Sequence, residues 1–152
     1  MKFKTLDDVL KYAIDKEKKS SKLYLMFQKK VKNQAARKLL GELAEQESGH
    51  RKLLEEALQT HKTHKIGGKC EVADMKLTDY MVERELGPDS DPQDVMMYAM
   101  QMEKLSYDFY KELLKNYKGT KIAAALAKLT EEERCHKETL EKEYEERFMQ
   151  WM

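Results

Sequence analysis

Cysteine, proline and glycine are all scarce in this sequence, and the scarcity of cysteine excludes a whole class of scaffold. Only two cysteines occur, Cys70 and Cys135, and they form no Cys-x-x-Cys pair. A fold held together by disulfide bonds is therefore excluded, and two isolated thiols favour a reducing compartment. Since the first residues contain no apolar leader either, we expect a cytoplasmic protein.

Long apolar runs and an excess of one charge are also missing. No stretch approaches the roughly 20 apolar residues of a membrane-spanning helix, so we expect no membrane partner. The 29 basic and 28 acidic residues nearly cancel, whereas a nucleic-acid partner would favour a strongly basic face. The 152 residues include only two prolines and six glycines but many Lys, Glu, Leu, Ala and Met. This composition favours long helices within a single domain, residues 1–152.

Apolar residues recur at steps of three and four in four segments, which predicts four amphipathic helices. Thr5, Asn33, Asp91 and Thr120 are the predicted N-caps, and Gly119 is predicted to end the third helix in a left-handed conformation. Short turns join the helices in pairs, so we expect two antiparallel hairpins. The hairpins cover residues 5–62 and 92–150, and a long crossover at 63–91 contains a short helix over 77–86. The predicted fold class is an all-α, antiparallel four-helix bundle.

Two of the predicted helices carry a Glu-x-x-His motif within their apolar stripe. Residues three apart lie on one helix face, so carboxylate and imidazole can reach one metal ion together. Each motif is preceded, thirty residues upstream, by a further glutamate in an apolar stripe, and the two halves of the chain superpose at an offset of 86 residues. The six candidate ligands are Glu17, Glu47 and His50 in the first hairpin and Glu103, Glu133 and His136 in the second.

The spacing predicts that the six side chains meet at one level of the bundle. In each hairpin the midpoint between the two glutamates falls on the turn, so each glutamate lies roughly 22 Å from that turn, at the height of its partner. Four buried glutamates without a cation would be very unfavourable, whereas two divalent ions balance their charges. Oxygen and imidazole ligands without thiolate favour iron or manganese, with zinc as a substitute.

This arrangement resembles the ferritin-like diiron carboxylate proteins over nearly the whole chain. The compact length, and Tyr24 and Tyr110 seven residues after Glu17 and Glu103, are most similar to the diiron domain of rubrerythrin. The resemblance implies two iron ions as cofactors and tyrosine hydroxyls that hydrogen-bond the metal-ligating glutamates. The chain departs from it at Ser106, where rubrerythrins commonly have an additional glutamate that exchanges with a histidine on redox change.

The resemblance further implies an oxidoreductase whose reduced diiron centre reacts with hydrogen peroxide or dioxygen. Because the sequence contains no Cys-x-x-Cys pair, a rubredoxin-type iron module is not among these residues, and we expect a separate electron donor such as rubredoxin. The expected roles are terminal ligands for Glu17 and Glu103, bridging ligands for Glu47 and Glu133, and nitrogen ligands for His50 and His136.

Three other functions stay open at this point. Ferritin-like iron binding, oxidation and storage uses a similar ligand set, although Ser48 follows Glu47 where bacterioferritin has the methionine that binds haem. Manganese-dependent disproportionation of peroxide is the second alternative. The third is a helical interaction module that uses no metal.

Several residues outside this set receive plainer interpretations. The lysines of the first helix, Lys16 among them, are predicted to form a solvated surface. His61, His64 and Cys70 lie in a stretch without helical periodicity, and we do not expect a second metal site there. The apolar tail at 148–152 either caps the bundle or forms a homodimer contact, and we favour the contact.

Overall fold

A computed structural model describes residues 3–63, 66 and 85–148, and the regular secondary structure within these ranges is entirely α-helical. The helices are α1 (Leu6–Lys30), α2 (Gln34–Thr60), α3 (Pro92–Asn116) and α4 (Ala123–Phe148). Helix α1 packs along α2 and α3 packs along α4, and the two hairpins together form a four-helix bundle. The predicted fold class is confirmed. Among the described helices, none combines the length and the apolar character needed to cross a lipid bilayer.

Three of the predicted N-caps are present. In α1 the Thr5 hydroxyl accepts a hydrogen bond from the Asp8 N–H at 3.2 Å, and the Asp8 carboxylate accepts one from the Thr5 N–H at 3.1 Å. Asp91 and Asp94 form the same reciprocal box at the start of α3. The Asn33 side chain accepts the N–H three residues later, at 2.9 Å, and caps α2. Each cap pairs a backbone N–H that the first helical turn leaves without an acceptor.

The turn between α3 and α4 differs from the prediction at one cap. Gly119 has the expected left-handed φ of 78°, but Thr120 does not cap α4. Its hydroxyl donates instead to the carbonyl oxygen of Tyr117 at 2.6 Å. Because this bond and the backbone bonds around it close a further turn, α4 begins only at Ala123.

The buried apolar side chains form two clusters at opposite ends of the bundle. One end holds the α1–α2 turn, the start of α3 and the end of α4; the other holds the start of α1, the end of α2 and the α3–α4 turn. Helices α2 and α3 therefore run in one direction, and α1 and α4 in the other. The fully buried members include Val31, Leu40, Met96 and Ala99 in the first cluster, and Leu10, Leu54 and Leu126 in the second.

The crossover between the hairpins is described only at its ends. Residues 77–84 of the predicted short helix lie outside the described ranges, and residues 85–87 are not helical. Leu86 packs into the first apolar cluster. The Lys32 N–H donates to the Pro88 carbonyl oxygen at 3.0 Å. These two contacts tie the chain that leads into α3 to the α1–α2 turn.

Candidate metal centre

All six predicted ligands lie in one polar layer between the two apolar clusters. The four helices each contribute one glutamate from their middle third, and the glutamates are only 5–7% exposed. The side chains fall into two groups whose candidate ligand atoms lie within 4.8 Å of one another. We call them the first half-site (Glu17, Glu47 and His50, on α1 and α2) and the second half-site (Glu103, Glu133 and His136, on α3 and α4).

The two half-sites have the same geometry at slightly different spacing. In the first, His50 Nδ1 lies 4.0 Å from a carboxylate oxygen of Glu17 and 4.0 Å from one of Glu47. In the second, His136 Nδ1 lies 3.7 Å from Glu103 and 3.6 Å from Glu133. The two imidazoles stack on each other, with ring centroids 3.9 Å apart and planes within 11°. The stacking brings the half-sites side by side.

The donor atoms of this layer fit a pair of cations. Glu17 Oε2, His50 Nδ1 and His136 Nδ1 are buried without a hydrogen-bond partner, which is costly for polar atoms unless something else binds them. Separations of 3.6–4.0 Å are too long for hydrogen bonds. They suit two ligands on a shared ion, since metal–oxygen and metal–nitrogen bonds of about 2.0–2.2 Å place such ligands roughly 3–4 Å apart. Carboxylate and imidazole without thiolate suit iron, manganese or zinc.

Different neighbours make the buried glutamates unlike one another in the metal-free protein. Burial raises the pKa of Glu17 and of Glu103, and the neighbouring carboxylates raise it further. Burial acts in the same direction on Glu133, but His136 and Glu103 outweigh it and lower the pKa of Glu133 to about 2. These shifts favour the protonated form of Glu17 and of Glu103, whereas cation binding requires the carboxylate form.

The pKa values of the two histidines are also shifted in opposite directions. Burial and the nearby His136 lower the pKa of His50 below its usual value. Burial also disfavours the charged form of His136, but Glu133 and then Glu132 reverse the direction, and the pKa of His136 is raised. Glu132 is itself buried on α4, and this burial raises its pKa to about 7.

Tyr24 and Tyr110 lie beside the polar layer, 3% and 2% exposed. Burial raises the pKa of both far above the usual range, followed by the charges of Glu103 and Glu47 for Tyr24 and of Glu133 for Tyr110. Both phenols are therefore neutral, and each responds to the charges of glutamates from both half-sites. Their predicted hydrogen bonds to the candidate ligands stay a prediction.

The polar layer borders a cavity on each side. Between α1 and α3 a cavity of about 10 Å³ has room for about one water molecule. Its walls are Lys16, Glu17, Ser20, Tyr24, Glu47, Met102, Glu103, Ser106 and Glu133. On the opposite side, a cleft of about 230 Å³ reaches both imidazoles. That cleft is lined by Gln46, His50, Glu103, His136, Thr139, Leu140 and Glu143.

The interpretation of Lys16 as part of a solvated surface was wrong. Its side chain is partly buried, and its ammonium lies 4.8 Å from the ring centroid of Tyr110 and 5.0 Å from that of Phe109. Burial lowers the pKa of Lys16, while the four glutamates of the polar layer act to raise it. A weak signal existed: Lys16 follows Ala13 by three residues and precedes Ser20 by four, which places it at the edge of the apolar stripe.

Glu132 is the second residue that the sequence reading missed. It lies three residues after Leu129 and four before His136, which is the spacing of a buried helix face. The sequence analysis nevertheless assigned only the neighbouring Glu133 to the interior. The structure buries both. Helices pack on more than one side in a bundle, so two adjacent residues can both lose contact with water.

The remaining predictions are only partly within the described residues. His61 ends α2 in a left-handed conformation, with its Nε2 3.0 Å from a carboxylate oxygen of Asp7. This pair lies at the exposed end of the bundle, while His64 and Cys70 lie outside the described ranges. Phe148 packs against Tyr144 at 5.3 Å between ring centroids, and residues 149–152 of the apolar tail are outside the description.

Comparisons with known proteins show which family the chain resembles. The profile of the rubrerythrin family matches residues 8–144. A solved structure, a hypothetical protein from Pyrococcus furiosus, is similar with 26% sequence identity and a TM-score of 0.48, over 93% of this chain and 89% of that one. No curated protein sequence matches the chain.

Proposed function

The chain belongs to the rubrerythrin family, and from that premise we propose that it is a dinuclear metal oxidoreductase, with iron as the resident metal, that reduces hydrogen peroxide or dioxygen. The observation that carries the proposal is the polar layer itself. Two Glu–Glu–His groups face each other with stacked imidazoles and unpaired donor atoms, between two clusters of buried apolar side chains.

In this proposal the six side chains would bind two metal ions. Each half-site supplies two carboxylates and one imidazole, so four negative charges balance two divalent cations and the histidines stay neutral. A pair of ferrous ions, when bound, supplies two electrons together, which reduction of an O–O bond requires. In our proposal Glu17 and Glu103 would serve as terminal ligands, Glu47 and Glu133 would be shared by the two ions, and His50 and His136 would each bind one ion.

The surrounding residues shape what reaches the centre. The apolar clusters above and below the layer lower the local dielectric constant and so strengthen the electrostatic interactions within it. We propose that the neutral phenols of Tyr24 and Tyr110 donate hydrogen bonds that orient the glutamates. The small cavity between α1 and α3 is too small for a large substrate, and Ser20 and Ser106 supply hydroxyl groups there.

We also propose a separate electron donor, rubredoxin or a protein like it, a cytoplasmic setting and a homodimer. These rest on the cysteine content and on the apolar tail at 148–152.

Stopped-flow spectroscopy tests the proposed reaction. The protein is loaded with two ferrous ions per chain under anaerobic conditions and mixed with hydrogen peroxide. We expect oxidation far faster than that of free ferrous ion, and an absorbance in the near ultraviolet from an oxo-bridged diferric product. Oxidation at the rate of free ferrous ion would reject the proposal.

Ferritin-like handling of iron is the second candidate, and the cleft on the α2–α4 side favours it. Glu143 and Gln46 line this cleft, which reaches His50 and His136 and offers cations a polar path to the centre. Storage requires a cage and an iron load far above two per chain. Light scattering and iron analysis after aerobic loading separate the candidates: a small species with two irons supports the oxidoreductase.

A further inference from the structure

The internal repeat reproduces two tyrosines in each hairpin. Tyr24 and Tyr110, which we call the inner tyrosines, lie beside the polar layer. Twelve residues before each of them on the same helix is a second tyrosine, Tyr12 on α1 and Tyr98 on α3. The offset of 86 residues maps Tyr12 onto Tyr98 just as it maps Tyr24 onto Tyr110. We call Tyr12 and Tyr98 the outer tyrosines.

The outer tyrosines reach the surface. Both Tyr12 and Tyr98 are only partly buried, whereas the inner tyrosines are 3% and 2% exposed. Twelve residues of one helix correspond to a rise of about 18 Å, so the inner and the outer tyrosine of the same helix cannot touch. Any outer tyrosine that contacts an inner one must therefore come from the other hairpin.

Tyr98 of the second hairpin packs directly on Tyr24 of the first. Their ring centroids are 6.3 Å apart and their planes lie at 85°, which is an edge-to-face contact. Phe27 also contacts Tyr98, at 5.1 Å between centroids, and helps to fix the ring. The two tyrosines form a continuous aromatic path from the polar layer to the surface.

Tyr12 of the first hairpin reaches Tyr110 of the second through one intervening ring. Tyr12 stacks on Phe109, with centroids 5.5 Å apart and planes at 27°, and Phe109 contacts Tyr110 at 5.7 Å. The outer groups also act on the inner ones electrostatically, since Tyr12 contributes to the raised pKa of Tyr110 and Tyr98 to that of Tyr24. Each inner tyrosine thus has one outer tyrosine at the end of a chain of rings.

The surroundings favour oxidation of the outer tyrosines over the inner ones. A tyrosine that is oxidised loses one electron and its phenolic proton, and a partly exposed phenol can release that proton to water. The ammonium of Lys16 lies 4.8 Å from the ring centroid of Tyr110, and its positive charge opposes the loss of an electron from that ring. An oxidising equivalent on an inner ring is therefore more stable once it has moved outward.

We propose that two chains of rings, Tyr24–Tyr98 and Tyr110–Phe109–Tyr12, carry one-electron oxidising equivalents from the polar layer to the surface, where small reductants remove them. This inference rests on the proposed function, because peroxide and ferrous ion supply the oxidant. A single ferrous ion reduces hydrogen peroxide by one electron and yields hydroxide and hydroxyl radical. The chains add to the proposed function a protection of the ligands against that radical.

The proposed steps conserve atoms and electrons. Hydroxyl radical takes the phenolic hydrogen atom of an inner tyrosine, which gives water and an inner phenoxyl radical. The outer tyrosine gives one electron to this radical and its own proton to bulk water, and the inner phenolate takes a proton back from water. The net products are water and an outer phenoxyl radical. Ascorbate at the surface then returns one electron and one proton to the outer tyrosine.

Electron paramagnetic resonance of rapidly frozen samples tests the proposal. The protein is loaded with one ferrous ion per chain under anaerobic conditions, mixed with hydrogen peroxide and then with ascorbate. In the wild type we expect a tyrosyl radical that ascorbate removes quickly. The double variant Tyr12→Phe, Tyr98→Phe keeps the packing of both rings but cannot be oxidised there. Its radical should decay at least roughly tenfold more slowly, since ascorbate reaches a buried ring only in locally opened molecules.

The matched control is Tyr107→Phe. Tyr107 is a partly buried tyrosine of α3, and its ring interaction within the described part of the chain is with the Lys111 ammonium, at 5.7 Å. Its replacement should leave the decay unchanged. The double variant Tyr12→Trp, Tyr98→Trp should restore fast decay, because an indole is also oxidisable. Decay as slow as in the phenylalanine variant would mean that a structural change, not the lost redox group, traps the radical.

The remaining outcomes separate this proposal from the proposed function. Wild-type decay in the double phenylalanine variant overturns the chains of rings, and so does the absence of a radical in wild type whose iron is oxidised; the proposed function then stands. If the double variant loses iron, Tyr98→Phe alone decides, because Tyr110 still discharges through Tyr12: two phases of decay support the proposal and one fast phase overturns it. If the wild type binds no iron, both proposals fail.

Discussion

The two half-sites use the same three residue types at the same spacing, yet the structure places them in different surroundings. The first half-site has Lys16 on its helix and Gln46 next to Glu47, and its histidine is 22% exposed. The second has Met102 and Glu132 at the equivalent positions, and its histidine is 17% exposed. Distances from imidazole to carboxylate are 4.0 Å in the first and 3.6–3.7 Å in the second.

The comparison shows that an internal repeat can reproduce a ligand set without reproducing its electrostatics. The pKa of His50 is lowered by burial and by His136, whereas that of His136 is raised because Glu133 and Glu132 outweigh its burial. The two half-sites are therefore chemically distinct. The second has an additional acidic side chain, Glu132, beside its ligands.

The largest expected effect comes from removing the charges of the two glutamates that we propose as bridging ligands, Glu47 and Glu133. The double variant Glu47→Gln, Glu133→Gln keeps the shape of the side chains and removes two of the four negative charges. We expect the affinity for the metal pair to fall by at least about 100-fold, because the ligands that hold the cations are then short of charge. Metal analysis after dialysis against a ferrous or cobalt buffer measures it.

The control for this loss is Glu45→Gln with Glu131→Gln. These exposed glutamates lie two residues before the bridging pair, so the variant removes the same charge from the surface. It should retain two metal ions per chain. An equal loss in both double variants would mean that net charge, not ligation, binds the metal.

Replacing one buried leucine at each end of the bundle compares the two apolar clusters. Leu40 and Leu126 occupy equivalent positions in the repeat, one in each cluster, and both are fully buried. Each change to alanine should lower the free energy of unfolding by about 2–5 kcal/mol, through lost apolar burial and the cavity left behind. Urea denaturation measures both. A difference above about 2 kcal/mol, the spread expected for leucine sites, would show that the asymmetry extends beyond the polar layer.

Replacement of single glutamates in the metal-free protein sharpens the comparison, because the pKa shifts have opposite signs. The pKa of Glu17 is raised by burial, so its contribution to stability is present below about pH 4.5 and is lost as the pH rises above that value. The pKa of Glu133 is lowered to about 2, so its contribution is present above about pH 4.5 and is lost as the pH falls toward about 2.

At pH 7 the two variants should therefore change stability in opposite directions. Glu17→Gln should raise the free energy of unfolding of the chelator-treated protein, and Glu133→Gln should lower it, each by about 1–3 kcal/mol. Urea denaturation at pH 5, 7 and 9 checks the sign and the pH dependence. Changes of the same sign at pH 7 would contradict the assignment of charge to Glu133.

The smallest expected effect comes from exchanging the residues that precede the bridging glutamates. Glu132→Gln should lower the pKa of His136, because one of the charges that raise it is lost. Gln46→Glu should raise the pKa of His50 by placing a carboxylate in the equivalent position. NMR titration of the two imidazoles in the metal-free protein measures both. If neither pKa moves, the difference between the half-sites has another origin.

Much of the fold followed from local signals. The caps at Thr5, Asn33 and Asp91 satisfy backbone donors of their own helix, so they are visible in a few consecutive residues. The cap at Thr120 failed because its hydroxyl also had a local alternative, the carbonyl of Tyr117. Both options are local, and the choice between them depends on how the α3–α4 turn packs.

The candidate ligands were visible for a different reason. A glutamate inside an apolar stripe contradicts the pattern around it, and four such contradictions at equal spacing point to a common cause. Lys16 and Glu132 produced no contradiction, since each lies beside a ligand and at the edge of its stripe. Their burial depends on the rings of Phe109 and Tyr110 and on packing around α4.

By itself, the sequence determined the four helices, their pairing into hairpins and the six polar side chains at one level, because periodicity, caps and equal spacing are properties of a single helix or hairpin. Only the tertiary structure decided that the imidazoles stack, that Lys16 faces the small cavity and that the half-sites differ in charge. These depend on distances between residues of different helices, and electrostatic energies in a buried layer change steeply with such distances.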